Sequence, residues 1–407
     1  MTALTLGFIP LTDCAPLVVA LDQGFFADEG LEVSLSREAS WASIRDKVAV
    51  GALDGAHMLG PMPLAASLDT ASVAAPPTIV PMALNSGGSA ITVSTALAAA
   101  LAAIDAEGMA ASPRTARPMH RLIKDRASRG ESPLTFAVVF PYSVHNYQLR
   151  YWLAEAGIDP DRDVRIVVVP PPRMAERLKS GEIDGFCVGA PWNALSVLEG
   201  AGEILIRSSQ FWSGAPDKVF GVGAAWAERE PDRLQAVLRA LLRASVWADA
   251  SENRPELASL LAAPQFVGVS EAAIAASLDQ PGGGPTVDHI AFHRNAASFP
   301  WRSHAVWFLS QMQRWGQIGA DVDVQALART VYRPDIYRQA AASLALPSPL
   351  IDEKIEGAHD HPWTLDAATG AILMTADVFF DGKRFDPAQP LAYAESFAVK
   401  RSNPPEF

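Results

Sequence analysis

The chain has 407 residues, 49% of them hydrophobic and 19% charged, a balance that describes an ordinary soluble globular protein with room for two domains and excludes a disordered or fibrous one. Its formal net charge of −12 comes with no sustained basic run, which argues against direct binding to nucleic acid or anionic lipid. Two cysteines, Cys14 and Cys187, make neither a disulfide framework nor zinc-type spacing.

After Met1, the run Leu4-Thr5-Leu6-Gly7-Phe8-Ile9-Pro10 reads as a short strand. It carries no basic n-region, no long apolar stretch and no small-residue cleavage site, so the expected location is cytoplasmic. A membrane span needs about 20 mostly apolar residues. The nearest run, Ala96 to Ala111, is broken by Asp105 and Glu107 and reads as a helix of a soluble fold. A helix around Pro16 to Glu29 and a strand over Leu31 to Leu35 complete a β-α-β opening. Ser43 to Gly51 reads as a short helix closed by a glycine, Asp54 to Leu59 as a buried strand, and Pro61 as the start of another helix. Gly87-Gly88, between Pro81 to Asn85 and Ala90 to Ser94, marks where the chain leaves its first lobe.

The second lobe opens with a strand over Leu134 to Phe140, a turn at Pro141, and Ser143 as N-cap of a helix carrying His145, Tyr147, Tyr151 and Trp152. Free N–H groups and the positive end of the helix dipole suit a small anion there; the other reading is an ordinary strand-to-helix turn. Val164 to Val169, Met174 to Gly181 and Ile183 to Val188 repeat strand, helix, strand. Apolar runs between helices predict strands buried on both faces, with ligands beyond their carboxyl ends, where Trp41, Ser89, His145, Pro171 and Ala190 fall. The expected fold class is α/β with two parallel or mixed sheets flanked by helices and a ligand cleft between two lobes. Lobe one takes 1–94 and 218–346, lobe two 95–217, and 347–407 forms a C-terminal extension wrapping the lobes. Long helices follow from Asp232 to Ala250 and after Phe299, and Asp377 to Phe380 is strand-like.

No nucleophile elbow, P-loop, dinucleotide fingerprint or His-Glu metal helix is present in the sequence. His289 and His293 have helical spacing, but two ligands without a third make a weak metal signal. Lys218, in a loop expected to cross between lobes, is either a cation facing the cleft or a solvated surface lysine. Trp41 either closes a small-ligand pocket or covers a helix end.

Several motifs carry a resemblance: Asp54-Gly55-Ala56-His57-Met58-Leu59, Ser143-Val144-His145-Asn146-Tyr147, Arg150-Tyr151-Trp152-Leu153, Pro170-Pro171-Pro172-Arg173-Met174, Asp184 to Asn193, and Phe299-Pro300-Trp301-Arg302-Ser303-His304. Over almost the whole chain the sequence resembles the nitrate- and bicarbonate-binding proteins of ABC transporters, and more closely their cytosolic nitrate/nitrite sensor branch, the NasS type. The resemblance implies a periplasmic-binding-protein type II fold closing on a small planar anion. Matched by motif, the anion-binding positions fall on Trp41, Ser43, Ser89, His145, Pro171, Val188 and Lys218. A glutamine common in the Gly-Gln-Ala/Gly-Ile segment is Ser89 here, and the glutamate often found before Pro-Trp-Asn is Ala190. Bicarbonate binders of the family resemble calcium-assisted sites, whereas Asp217-Lys218-Val219 supplies a cation, so nitrate or nitrite is favoured.

The resemblance therefore implies a cytosolic nitrate/nitrite sensor, not an enzyme and without a cofactor, that controls an RNA-binding antiterminator of the NasT type. Two other readings stay open: a solute-binding protein of a nitrate/nitrite ABC transporter, and an enzyme of the same fold class such as the thiamine-pyrimidine synthases. If protonated His145 donates to the anion, affinity is expected to weaken as pH rises past the imidazole range near ~6.5.

Overall fold

The computed structural model describes residues 3–68, 77–278 and 289–401. Two five-stranded sheets form its skeleton. The first runs Val33–Arg37, Leu4–Phe8, Gly55–Leu59, Lys218–Gly223, Thr78–Ala83, and the second Gly202–Arg207, Ser89–Ser94, Gly185–Gly189, Thr135–Val138, Arg165–Val168. Gly55–Leu59 and Thr78–Ala83 are buried at every position, as strands covered on both faces must be. The long helix Pro231–Asp249 packs its apolar face on the helix Ala15–Asp22 of the first lobe. Gly24, at φ 73°, breaks the helix expected over Pro16 to Glu29 into Ala15–Asp22 and Phe25–Asp28, because a left-handed residue cannot continue an α-helix.

Both sheets are mixed, and this sets the geometry of the cleft. Leu4–Phe8 and Gly55–Leu59 run parallel, but Lys218–Gly223 is antiparallel to Gly55–Leu59 with Lys218 opposite Leu59. In the second sheet Thr135–Val138 and Gly185–Gly189 run parallel, and Ser89–Ser94 is antiparallel to the latter with Ser89 opposite Gly189. The reversed strand of each lobe thus begins at the edge where the parallel strands end. Ser89 and Lys218 therefore both lie, fully buried, at the edge where the two lobes meet.

The strand Ser89–Ser94 pairs in the second sheet, so the chain crosses before Ser89 and not after 94, where the sequence reading had put the boundary. The glycine turn was the true signal, and the apolar run after it already belongs to the other lobe. The two crossing segments clasp each other: Leu84 N donates to Lys218 O at 2.8 Å, Gly87 N to Ala215 O at 2.8 Å, and Lys218 N to Asn85 Oδ1 at 3.2 Å.

The C-terminal extension is more than an outer wrap. Phe379 stacks on Trp212 with ring centroids 4.5 Å apart, and Phe385 is fully buried. Each such side chain contributes about 1.5–3 kcal/mol of burial. Asp377 to Phe380 makes single bridges, His359 with Asp377 and Trp212 with Phe379, and not the strand its composition predicted. A hairpin, Trp363–Ala367 with Gly370–Met374, lies upstream of it. His289 and His293 flank a two-residue strand, Ile290–Ala291, so helical spacing does not apply to them. Among the described residues no helix is long and apolar enough to cross a membrane.

Candidate functional site

Lys218 is fully buried at the start of its strand, and its Nζ lies 2.8 Å from Asp13 Oδ2 and 2.7 Å from Asp217 Oδ1. Asp13 sits just past the first strand, where Thr12–Cys14 forms a 3-10 turn. Its other oxygen lies 2.9 Å from His57 Nε2. Because Ile9 N donates to His57 Nδ1 at 3.4 Å, the ring proton belongs on Nε2, facing Asp13. From the second lobe, the Ser143-capped helix Val144–Glu155 brings His145 Nε2 to 3.6 Å from Asp217 Oδ1. Trp41, at the head of the helix Trp41–Ala49, meets His57 edge to face at 5.2 Å and has Lys218 Nζ 6.0 Å from its ring centroid.

One ammonium therefore serves two carboxylates in a site without water contact, and the two respond in opposite directions. Burial pushes the Asp217 carboxyl up to about 7, with Asp13 adding to the rise and Lys218 opposing it. Burial also acts on Asp13, but there Lys218 and His57 outweigh it and hold the carboxyl at about 2. Burial, with the Lys218 charge, keeps His145 well below the ordinary imidazole value. Lys218 is raised, its two carboxylates outweighing burial.

The arrangement leaves donors unused. Trp41 Nε1, the one N–H of the neutral His145 ring and Gln148 Nε2 are buried donors without a hydrogen-bond partner, and on the acceptor side Asp217 Oδ2 is equally unpartnered. Buried polar groups without partners are rare, and several around one cation describe a place for an acceptor-rich ligand. A small cavity of about 10 Å³ borders Asp217 and Lys218 on the side of Asn85, Trp301 and His304, and Trp41, His145 and Gln148 are not among its lining residues.

Of the seven positions expected from the sequence, Trp41, His145 and Lys218 meet in this cluster. Ser89 lies beside it: its cross-strand neighbour Gly189 is so close that a Cβ there would be 3.1 Å from Asp13 Oδ2 and 3.3 Å from Lys218 Nζ. Val188 is buried one residue earlier, and its carbonyl accepts from Asn193 Nδ2 at 2.8 Å. Pro171 is buried at the head of a 3-10 turn, where its carbonyl accepts from Met174 N. Ser43 is turned elsewhere, its hydroxyl donating to Glu38 Oε2 at 2.7 Å beside Lys47. Asp13, His57 and Asp217 were not singled out by sequence reasoning. Asp13 did carry the signal that its neighbours carried, a polar residue just beyond a predicted strand.

Two mixed sheets, a clasped double crossing and a buried polar cluster at the edge both lobes share define a bilobal ligand-binding protein of the periplasmic-binding-protein fold. The chain belongs to the NMT1-like family, whose model matches residues 1–262. It is 36% identical over 98% of its length to the nitrate import ATP-binding protein NrtC of Synechocystis sp., of which it covers 55%, so it spans about half the length of that relative. It is 32% identical over 98% of its length to the nitrate/nitrite binding protein NrtA of Nostoc sp., of which it covers 86%. The crystal structure of the periplasmic nitrate-binding protein NrtA from Synechocystis PCC 6803 superposes with a TM-score of 0.84 at 30% identity, covering 98% of this chain and 99% of that one.

Proposed function

We propose that this chain is a receptor that binds nitrate or nitrite between its lobes, without turnover, and passes its closed state to a partner. The observation that carries the reading is the set of unpartnered buried donors, Trp41 Nε1, His145 and Gln148 Nε2, around the Lys218 ammonium. The names of the NrtA relatives support the choice of anion. The Lys218 ammonium supplies a positive charge that a small planar anion such as nitrate or nitrite can approach. Both cysteines are buried with thiols pushed up by that burial, which supports binding without covalent chemistry. With ~1.5 kcal/mol as the ceiling per heavy atom, the four atoms of nitrate give about 6 kcal/mol, a Kd on the order of tens of micromolar.

The partner decides the role. Delivery to an ABC permease is the reading that the transport relatives support. Control of an RNA-binding antiterminator of the NasT type, in the cytoplasm, is supported by the net charge of −12 without a basic run, which leaves RNA contact to a partner. Calorimetry with nitrate, nitrite and bicarbonate tests the receptor reading. Saturable binding of nitrate or nitrite is expected, and heat from bicarbonate alone overturns it.

A further inference from the structure

Resting on the receptor reading, we infer that Gln148 is an anion-binding residue, that Ser89 holds its amide in place, and that this pair makes the site prefer the three-oxygen anion, nitrate, over nitrite. Gln148 is 3% exposed and sits three residues after His145 on the helix Val144–Glu155, so the two side chains share a face. His145 abuts Asp217, and Ser89 lies opposite Gly189, which abuts Asp13 and Lys218. Gln148 is therefore held between the two sides of the cluster.

Its two amide ends are in different situations. Ser89 Oγ donates to Gln148 Oε1 at 3.0 Å, while Nε2 is buried with no partner. The serine is itself fixed, fully buried with its N–H donating to Ser208 Oγ at 3.1 Å. Amide orientation follows the hydrogen-bond network. A buried amide donor left unpaired costs desolvation energy that an acceptor ligand would recover. Nitrate offers three oxygen acceptors, nitrite two oxygens and a nitrogen lone pair that accepts more weakly. Lys218, His145 and Trp41 already supply donors enough for two, so the fourth donor distinguishes the anion that has a third oxygen to receive it.

The test is calorimetry of the full chain with sodium nitrate and sodium nitrite, on the wild type and on Gln148→Leu, Ser89→Ala and Ser89→Thr, with thermal unfolding in the absence of anion to check each fold. Gln148→Leu is expected to weaken nitrate by about tenfold or more and nitrite by less than about threefold, as loss of one hydrogen bond to a charged acceptor predicts. Ser89→Ala is expected to lose part of the same preference and Ser89→Thr, which keeps the hydroxyl, to restore it. If Gln148→Leu fails to fold, Gln148→Met, of matching length, takes its place. Equal weakening of both anions, or unchanged nitrate affinity, overturns the inference while the receptor reading stands. Absence of binding of either anion to the wild type overturns both.

Discussion

Lys218 has a structural role of its own, because its ammonium lies within ion-pair distance of both Asp13 and Asp217. Replacing it by methionine leaves two buried carboxylates facing each other, and breaking a buried ion pair from one side costs about 3–5 kcal/mol. Lys218→Met is expected to lose stability on that scale in urea unfolding, and Lys218→Met with Asp217→Asn to recover part of it. No loss in the single variant would mean that the carboxylates are not held by this ammonium. Protons are expected to follow Asp217 and not His145, whose ring burial and the Lys218 charge keep neutral. Asp217 has a folded value of about 7 against an ordinary 3.8, so its proton stabilises the fold below about 3.8 and that contribution is lost as pH rises through about 7. Asp13, held at about 2, acts in the opposite sense, its contribution present above about 3.8 and lost as pH falls through about 2. His57 and His145, both lowered, contribute above about 6.5 and lose that contribution as pH falls below it. An anion placed beside Asp217 binds best to its protonated form. Nitrate affinity is therefore expected to fall as pH rises past about 7, with Asp217→Asn flattening the profile and leaving affinity high; a slope that survives Asp217→Asn would assign the proton elsewhere.

Between residue and lobe, the crossing segments decide how the halves are joined. Gly87, at φ 74°, lies so near the chain that a Cβ would fall 2.3 Å from the His289 carbonyl oxygen. That oxygen also accepts from Gly88 N at 2.7 Å, so the clash is with backbone that cannot step aside. Gly87→Ala combines a left-handed strain of about 1–3 kcal/mol with the break of this contact, and is expected to lower the urea midpoint by at least that much. The glycine pair was legible in the sequence as a boundary because positive φ leaves so few residue choices. The strands after it were legible as strands, but the sheet they join was not, since period-2 burial says nothing about which partner a strand takes. The same limit explains the site. His145 and Lys218 were singled out because a capped helix start and a cation in a crossing loop are local features. Asp13 was missed because its meaning lies in meeting an ammonium 205 positions away in the chain, and Asp217, next to Lys218, because nothing local shows that the two are buried together. The hairpin Trp363–Ala367 with Gly370–Met374 escaped notice because only Leu365 and Met374 are buried in it, too few to make a pattern. Ser43, matched by motif, belongs with Glu38 and Lys47, a polar cluster that sequence spacing alone does not separate from a ligand site.

At the scale of the molecule, the two lobes are joined by contacts outside the polar cluster. Thr12 N donates to Ala190 O at 2.9 Å, and Trp192 Nε1 to Pro10 O at 3.1 Å, each bond running from one lobe to the other. Thr12 adjoins Asp13, so the loop that carries a site carboxylate also carries the latch. Tyr147, two residues after His145, donates from its hydroxyl to Gln317 Oε1 at 2.8 Å and ties the second lobe's site helix to the first. A ligand that binds the closed form is then linked to these bonds: apparent affinity is the intrinsic affinity reduced by the fraction of protein able to close. Trp192→Phe keeps an aromatic ring in a nearly buried position and deletes one latch hydrogen bond, worth about 1 kcal/mol net. The expected result is a loss of about fivefold in affinity, equal for nitrate and nitrite, because the closing equilibrium does not depend on which anion fills the cleft. That equality separates the latch from Gln148, whose loss is expected to fall on nitrate. Small-angle scattering adds a second reading, since the anion-free variant is expected to be more extended than the wild type and to contract by the larger amount on saturation. If Trp192→Phe binds both anions as the wild type does and scatters as it does, closure is not limited by this bond, and a partner could not be controlled through it.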